Sequence, residues 1–376
     1  MPSYVSRETF LRALESVLPG VSKKEIVEQS SCYVFQSGKV FAYNEEVACH
    51  CPSGLEEELT GAVQAEPLLA ILRKLPEDEL EVSAGEGELV LTGKRRACGL
   101  RMEADVLLPI KDVEIPKRWK ALPPEFADAV SVVQACAGRD ESQFALTCVN
   151  LTPDWIEACD NYQLCRWNLK TPIAKPTLVR QSAVKHVAGL GMTEVAETET
   201  WLHFRSPAKL VLSCRRYFEN DFPDLGEILE VGGEPAMLPK GLAEEADKAK
   251  VFTSENAEGD AVLIELKPGR LTLKGTGITG WYRSDRKVKY AGPAIKFLVA
   301  PQILMDLVKK HSDCLISAER LKVVSGSYVF VSCLTLPEGS NTEGEMPPEE
   351  DGEPAPHPKK RKKERVPVGN HEEESE

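Results

Sequence analysis

Apolar residues along the chain follow two periods in turn. In some stretches they recur every three or four residues, as on one face of a helix, and in others every second residue, as in a half-buried strand. Three helical stretches open alike: "ETFLRALESVLPGV" from Glu8, "PEFADAVSVVQACAGRDES" from Pro124 and "KGLAEEADKAKVFTSENAEGD" from Lys240. Phe10, Phe126 and Leu242 hold the same place in each, 116 residues apart both times. Each helix leads through a polar loop to a strand pair, in "CYVFQSGKVFAYNEE", "LTCVNLTPDWIEACDNY" and "VLIELKPGRLTLKGTGIT". The turns within those pairs, at Ser37-Gly38, Pro153-Asp154 and Pro268-Gly269, carry residues that tight turns favour.

A second helix feeding another strand pair completes each copy. These segments read "EPLLAILRKLPEDELEVSAGEGELVLTG", "RQSAVKHVAGLGMTEVAETETWLHFRS" and "APQILMDLVKKHSDCLISAERLKVVSG". In the last, Ile303, Leu304, Leu307 and Val308 form one apolar stripe and Lys309 and Lys310 fall off it. The plan of helix, strands, helix, strands therefore occurs three times, in an α+β architecture of tandem repeats. The copies span 1–121, 122–238 and 239–337, and residues 338–376 follow as a charged tail.

Composition changes this picture little. The chain has 376 residues, 42% hydrophobic and 28% charged, as in a globular multidomain protein, and no apolar run is long enough to span a bilayer. Its start lacks the apolar core of an export signal, so a cytoplasmic, reducing compartment is expected. The formal charge is −13, with 12 acidic and 6 basic residues from Glu338 onward. An acidic body still binds DNA if its cations gather on one surface.

The eleven cysteines show no CxxC spacing and read as small core residues. Cys49, His50 and Cys51 raise the question of a metal, but along a strand the cysteines face one side and the histidine the other. Adding 116 to these positions gives Cys165, Arg166 and Trp167, so the histidine has no ligand-type counterpart. Core cysteines flanking a surface histidine are expected. The six histidines show no HExxH spacing, and GxSxG, phosphate-loop and dinucleotide signatures are missing. Gly275, Gly277 and Gly280 read as a bend in a strand pattern. No enzymatic role, metal or cofactor is expected.

The repeat plan resembles the bacterial sliding clamp, the beta subunit of DNA polymerase III, over nearly everything up to Pro337. "CDNYQL" at Cys159 to Leu164 stands where that family has a Thr-Asp-Gly-His-Arg-Leu turn, keeping Asp160 and Leu164. "ENDFPDLGEIL" at Glu219 to Leu229 matches its Phe-Pro-Asp segment, with a weaker copy in "ADVLLPIKDV" from Ala104. "SYVFVSCLTL" from Ser327 stands where the family's last strand ends in a Met-Pro tail.

The resemblance implies three clamp domains per chain, with helices lining the inside and antiparallel sheets outside, and a head-to-tail homodimer closed around duplex DNA. Function would then be topological and independent of DNA sequence, with a few cations facing the phosphates. The expected DNA-facing residues are Arg12, Lys23, Lys24, Arg73, Lys74, Arg139, Lys185, Lys248, Lys309 and Lys310. A groove between the second and third domains would take short linear motifs from DNA polymerase and clamp loader. Carried over by position, its wall comprises Asn161, Tyr162, Gln163, Leu164, Pro223, Ile228, Val331, Ser332 and Cys333. Leu164, Pro223 and Ile228 would keep an apolar floor. Glu227 replaces a usual basic residue and Val331, Ser332 and Cys333 replace the Met-Pro end, which implies dedicated partners such as a phage or divergent replicon supplies. The rival expectation is a clamp-like interaction module that redirects or inhibits replication without tethering a polymerase.

The tail is rich in Pro, Glu and Gly and is expected to be disordered. Its run from Lys359 to Arg365 has the composition of a nuclear-import signal or a nucleic-acid patch, flanked by acid on both sides.

Overall fold

The computed structural model describes residues 3–25, 27–85, 87–218, 221–230, 232–253 and 261–335, without the side chains of Asp306, Lys309 and Lys310. The chain divides into two units, Met1–Pro337 and Glu338–Glu376. The expectations for the tail and its basic run lie outside the described residues.

Seven helices occur among the described residues: α1 (Arg7–Val17), α2 (Ala65–Lys74), α3 (Phe126–Val133), α4 (Gln181–Gly189), α5 (Gly226–Leu229), α6 (Leu242–Thr253) and α7 (Pro301–Lys310). All six helices expected from the repeat are present; α5 is an extra single turn in the Phe-Pro-Asp segment. The two helices of each copy pack side by side, α1 on α2, α3 on α4 and α6 on α7. Phe10, Phe126 and Leu242 are all fully buried, so the 116-residue spacing marks equivalent core positions. In every copy the first helix lies across the same kind of hairpin. These hairpins are Lys39–Tyr43 with Val47–Pro52, Trp155–Cys159 with Gln163–Asn168, and Arg270–Gly277 with Gly280–Lys287.

Residue chemistry explains the turns. Ser37 and Gly38 both have positive φ, 51° and 69°, as a two-residue hairpin turn of right-handed twist requires. The glycines of "LKGTGITG" do not form a bend within one strand. They straddle a hairpin tip at Ile278 and Thr279, where Gly277 is the partner of Gly280. Their smallness serves the helix above: a Cβ on Gly275 would sit 2.6 Å from the Ala249 carbonyl oxygen, and one on Gly277 would overlap that of Phe252.

Among the described residues the strands form three sheets of twelve, nine and four members, and the two larger ones run across copy boundaries. Val47–Pro52 of the first copy pairs antiparallel with Val211–Arg215 of the second, placing Cys49 opposite Leu212. Gln163–Asn168 of the second copy pairs with Tyr328–Cys333 of the third, placing Cys165 opposite Phe330. The short strand Lys120–Ala121 already pairs with Glu194–Glu197, and Glu234–Met237 with Asp313–Ile316. One apolar core runs through the first two copies and another fills the third.

Nine cysteines are buried, Cys98 is half-buried and Cys333 is exposed; all are free thiols. Cys49 and Cys51 join the core as expected. His50 faces the other side of its strand but is half-buried rather than an open surface residue. It packs on Phe41 with ring centroids 5.3 Å apart, and its Nδ1 is enclosed without a hydrogen-bond partner. Burial, reinforced by Lys39, lowers its pKa to about 4. No cluster of three or more metal-ligating side chains occurs among the described residues.

Candidate DNA-facing and partner-binding sites

Helix faces decide which cations are available to a phosphate. α1 buries Phe10, Leu14 and Val17, and α2 buries Leu68, Leu69 and Leu72, leaving Arg12, Arg73 and Lys74 exposed. Arg12 is paired with Glu8 one turn away, and Arg73 holds Glu15 of α1 at 2.7 Å. Lys74 has no ion pair among the described residues. Lys23 and Lys24 lie exposed in the loop after α1, and Lys185 stands on the outer face of α4. Arg139 is exposed and lines a polar hollow of about 610 Å³ between the second and third copies, with Gln163, Gln181 and Gln302.

Lys248 on α6 is exposed but lies 2.9 Å from Glu245, a buried carboxylate. Glu245 also accepts from Tyr282 and Arg286, each at 2.5 Å, and hydrogen bonds from Ser284 and Tyr282 hold its pKa far below the usual carboxylate range. Of the ten cations singled out in the sequence, Arg12, Arg73 and Lys248 are thus partly neutralised by neighbours. Lys23, Lys24, Lys74, Arg139 and Lys185 carry uncompensated charge among the described residues. The side chains of Lys309 and Lys310, in the last turn of α7, lie outside the description.

The second site is assembled at the joint between the second and third copies. Asp160 closes the turn before Gln163–Asn168: its carboxylate accepts from the backbone N–H groups of Tyr162 and Gln163, both at 2.7 Å. This gives a physical reason for Asp at that position. The turn exposes Asn161 and Tyr162, and the Cys333 N–H donates to the Tyr162 carbonyl at 2.7 Å. Strand pairing sets Gln163 opposite Ser332 and Leu164 opposite Val331. α5 then packs onto these strands, its entry fixed by Asp224, which accepts from the Gly226 N–H at 2.9 Å.

The result is a small apolar cluster separate from the two cores. Cys159, Leu164, Leu225, Leu229 and Val331 are buried in it, and Leu146, Phe222, Ile228 and Val329 remain partly exposed around them. Leu164, Ile228 and Val331 therefore come together as the sequence suggested. Pro223 is exposed, whereas Phe222 and Leu225 pack into the cluster. A proline at that place turns the chain, and the apolar residues on either side face inward. Leu225 and Leu229 were not singled out in the sequence, although their i, i+4 spacing is a signal that could have marked them; Leu146 and Val329 come from distant segments that only the fold unites.

No protein-family model matches the sequence, and no curated protein does. Solved structures match closely in fold. The sliding clamp (DNA polymerase III subunit beta) of Bartonella birtlesii, solved bound to griselimycin, superposes with a TM-score of 0.76 at 17% identity, covering 89% of this chain and 99% of that one. The DNA polymerase III beta chain of Streptococcus pneumoniae gives a TM-score of 0.76 at 16% identity, covering 90% and 100%. A putative beta subunit from Eubacterium rectale gives 0.75 at 11% identity, covering 89% and 99%. Each match takes in the other chain almost end to end, so the likeness covers the whole repeat array rather than one copy. The chain has the α+β fold of bacterial DNA polymerase III beta sliding clamps, in a sequence far diverged from them.

Proposed function

We propose that this protein is a DNA sliding clamp, a processivity factor that closes as a head-to-tail homodimer around duplex DNA and tethers a polymerase. The observation that carries this reading is an unfinished series of strand joints. Cys49 and Cys165 lie in the strands that pair across the first and second copy boundaries, and Trp281, the next position in the 116-residue series, lies in Gly280–Lys287. That strand is the edge of its sheet, hydrogen-bonded among the described residues only to Arg270–Gly277. Residues Ala97–Arg101 of the first copy likewise have strand partners on one side only among the described residues.

An open edge flanked by apolar side chains is a pairing surface. Trp281 is 65% exposed, Ile278 87% and Val251 of neighbouring α6 65%. Pairing Gly280–Lys287 of one chain with Ala97–Arg101 of another repeats the existing joints, and doing so twice about a twofold axis gives a closed ring of six copies. The uncompensated cations on the helices would then hold DNA through its phosphates without reading bases. The apolar cluster around Leu164, Ile228 and Val331, rimmed by Phe222 and Tyr162, would accept the apolar anchor of a polymerase or clamp-loader motif. Exposed Glu227 beside it would select motifs that carry a basic residue.

The test is sedimentation of the full chain across a wide concentration range, followed by retention on nicked circular DNA. A stable dimer that stays on the circle and is lost on linearisation is the expected outcome. A monomer at every concentration would overturn the ring and leave a clamp-like interaction module that redirects or inhibits replication.

A further inference from the structure

The joint between the first and second copies carries a trough that the reading above does not use. Its floor is a ladder row crossing five adjacent strands, in which Phe41, His50, Val211, Arg205 and Glu194 are successive partners. The linker between the two copies roofs it with Ile110, Val113, Ile115 and Trp119, enclosing a cavity of about 710 Å³. Two further hollows, about 500 and 450 Å³, share residues with the first: Ile115 at one end, and Lys39, His50, Arg205 and Val211 at the other. The three share lining residues in series, an arrangement longer than a compact small molecule needs and of the form an extended segment fills.

Charge around this trough runs against the −13 of the whole chain. Lys39, Lys111, Lys117, Arg118 and Lys209 line it, are exposed, and have no ion pair among the described residues. The three carboxylates that line it are engaged. Glu114 accepts from the Thr200 N–H at 3.1 Å, Glu194 pairs with Arg205 at 2.7 Å, and Glu197 pairs with Arg216 at 3.3 Å. The imidazoles add no further positive charge, since His203 is fully buried between Ser213 and Thr198 and is neutral at physiological pH.

A basic trough would also suit single-stranded nucleic acid, but base stacking needs open aromatic faces. Here the Trp119 ring is covered by the Arg205 guanidinium 4.3 Å from its centroid, and Phe41 is packed on His50. The apolar side chain most open to a ligand is aliphatic Ile115, 88% exposed. We infer that this trough docks an extended, acidic peptide segment of a partner protein, with aliphatic or aromatic side chains between the acidic ones. Apolar residues of such a segment would meet Ile115 and Val211, and its carboxylates would meet the surrounding cations.

Fluorescence anisotropy on the full chain tests this, with a fluorescein-labelled peptide of alternating Glu and Leu, the same peptide with Lys for Glu, and labelled oligothymidine. Saturable binding of the Glu peptide alone is expected, weakening as salt rises. The combined variant Lys39→Glu, Lys111→Glu and Lys209→Glu should weaken it at least about tenfold, and Ile115→Asp should weaken it several-fold; these side chains are exposed, so the fold should persist. Ile228→Asp, in the other apolar cluster, should leave binding unchanged and so separates this site from the polymerase site. Three results would each overturn the inference: no saturable binding, binding that survives the combined variant and therefore runs through the basic run from Lys359 to Arg365, or tighter binding of oligothymidine.

Discussion

Buried histidines give this protein a pH dependence that its composition does not reveal. His203 sits at 1% exposure with Nδ1 2.7 Å from the Ser213 hydroxyl and Nε2 3.0 Å from that of Thr198. Burial lowers its pKa to about 4, as it does for His50. The folded state therefore binds fewer protons than the unfolded state between about pH 6.5 and about pH 4. Stability is full above 6.5, falls with pH through that window and levels off below it. For His203 the loss is on the order of 3 kcal/mol. Thermal unfolding should show a clear drop in midpoint between pH 7 and pH 4.5, and His50→Phe with His203→Gln should flatten it. An unchanged slope in that variant would assign the acid sensitivity to other groups. At the apolar cluster, Phe222→Ala should weaken binding of a clamp-binding peptide at least fivefold, whereas Pro223→Ala should change it little, since Phe222 is half-buried against the cluster and Pro223 is exposed.

Close approach of α6 to its hairpin makes the third copy sensitive to atoms that elsewhere would be harmless. Gly275 and Gly277 lie directly under the backbone of Ala249 and Phe252. Gly277→Ala should destabilise by about 1–3 kcal/mol, because a helix carbonyl must move rather than a flexible side chain. Unfolding in denaturant measures this. A neutral result would mean that α6 rides higher over the hairpin. Among the helices, the cations left uncompensated should matter more for DNA than the paired ones. Lys74→Glu with Lys185→Glu should reduce retention on circular DNA more than Arg12→Glu with Lys248→Glu, and equal losses would contradict the assignment by ion pairing.

Within the first unit one kind of strand joint is made twice, and among the described residues its counterparts in Gly280–Lys287 and Ala97–Arg101 have a free side. If the ends close on a second chain, Trp281→Glu should weaken dimerisation by more than about tenfold while leaving the monomer folded, because the indole is 65% exposed. Sedimentation with circular dichroism separates the two effects. A dimer that tolerates the substitution would place the contact elsewhere.

The repeat, six of the seven helices and the hairpins were legible in the sequence, because each depends on local periodicity and turn chemistry. The 116-residue spacing of Phe10, Phe126 and Leu242 and the turn at Ser37-Gly38 are written in neighbouring residues. Three features were not legible, and each depends on distant segments meeting. Pro223 looked like part of an apolar floor, but whether it faces in or out depends on how α5 docks on Tyr328–Cys333. His50 looked like a surface residue because strand alternation tells which face it occupies, not whether the linker leading to the next copy covers that face. The glycines of "LKGTGITG" looked like a bend because their real neighbour, the backbone of α6, is brought in by packing. Sequence by itself determined which elements form and that they repeat; tertiary structure alone decided what each solvent-side face meets, since coverage is a property of the elements laid over it.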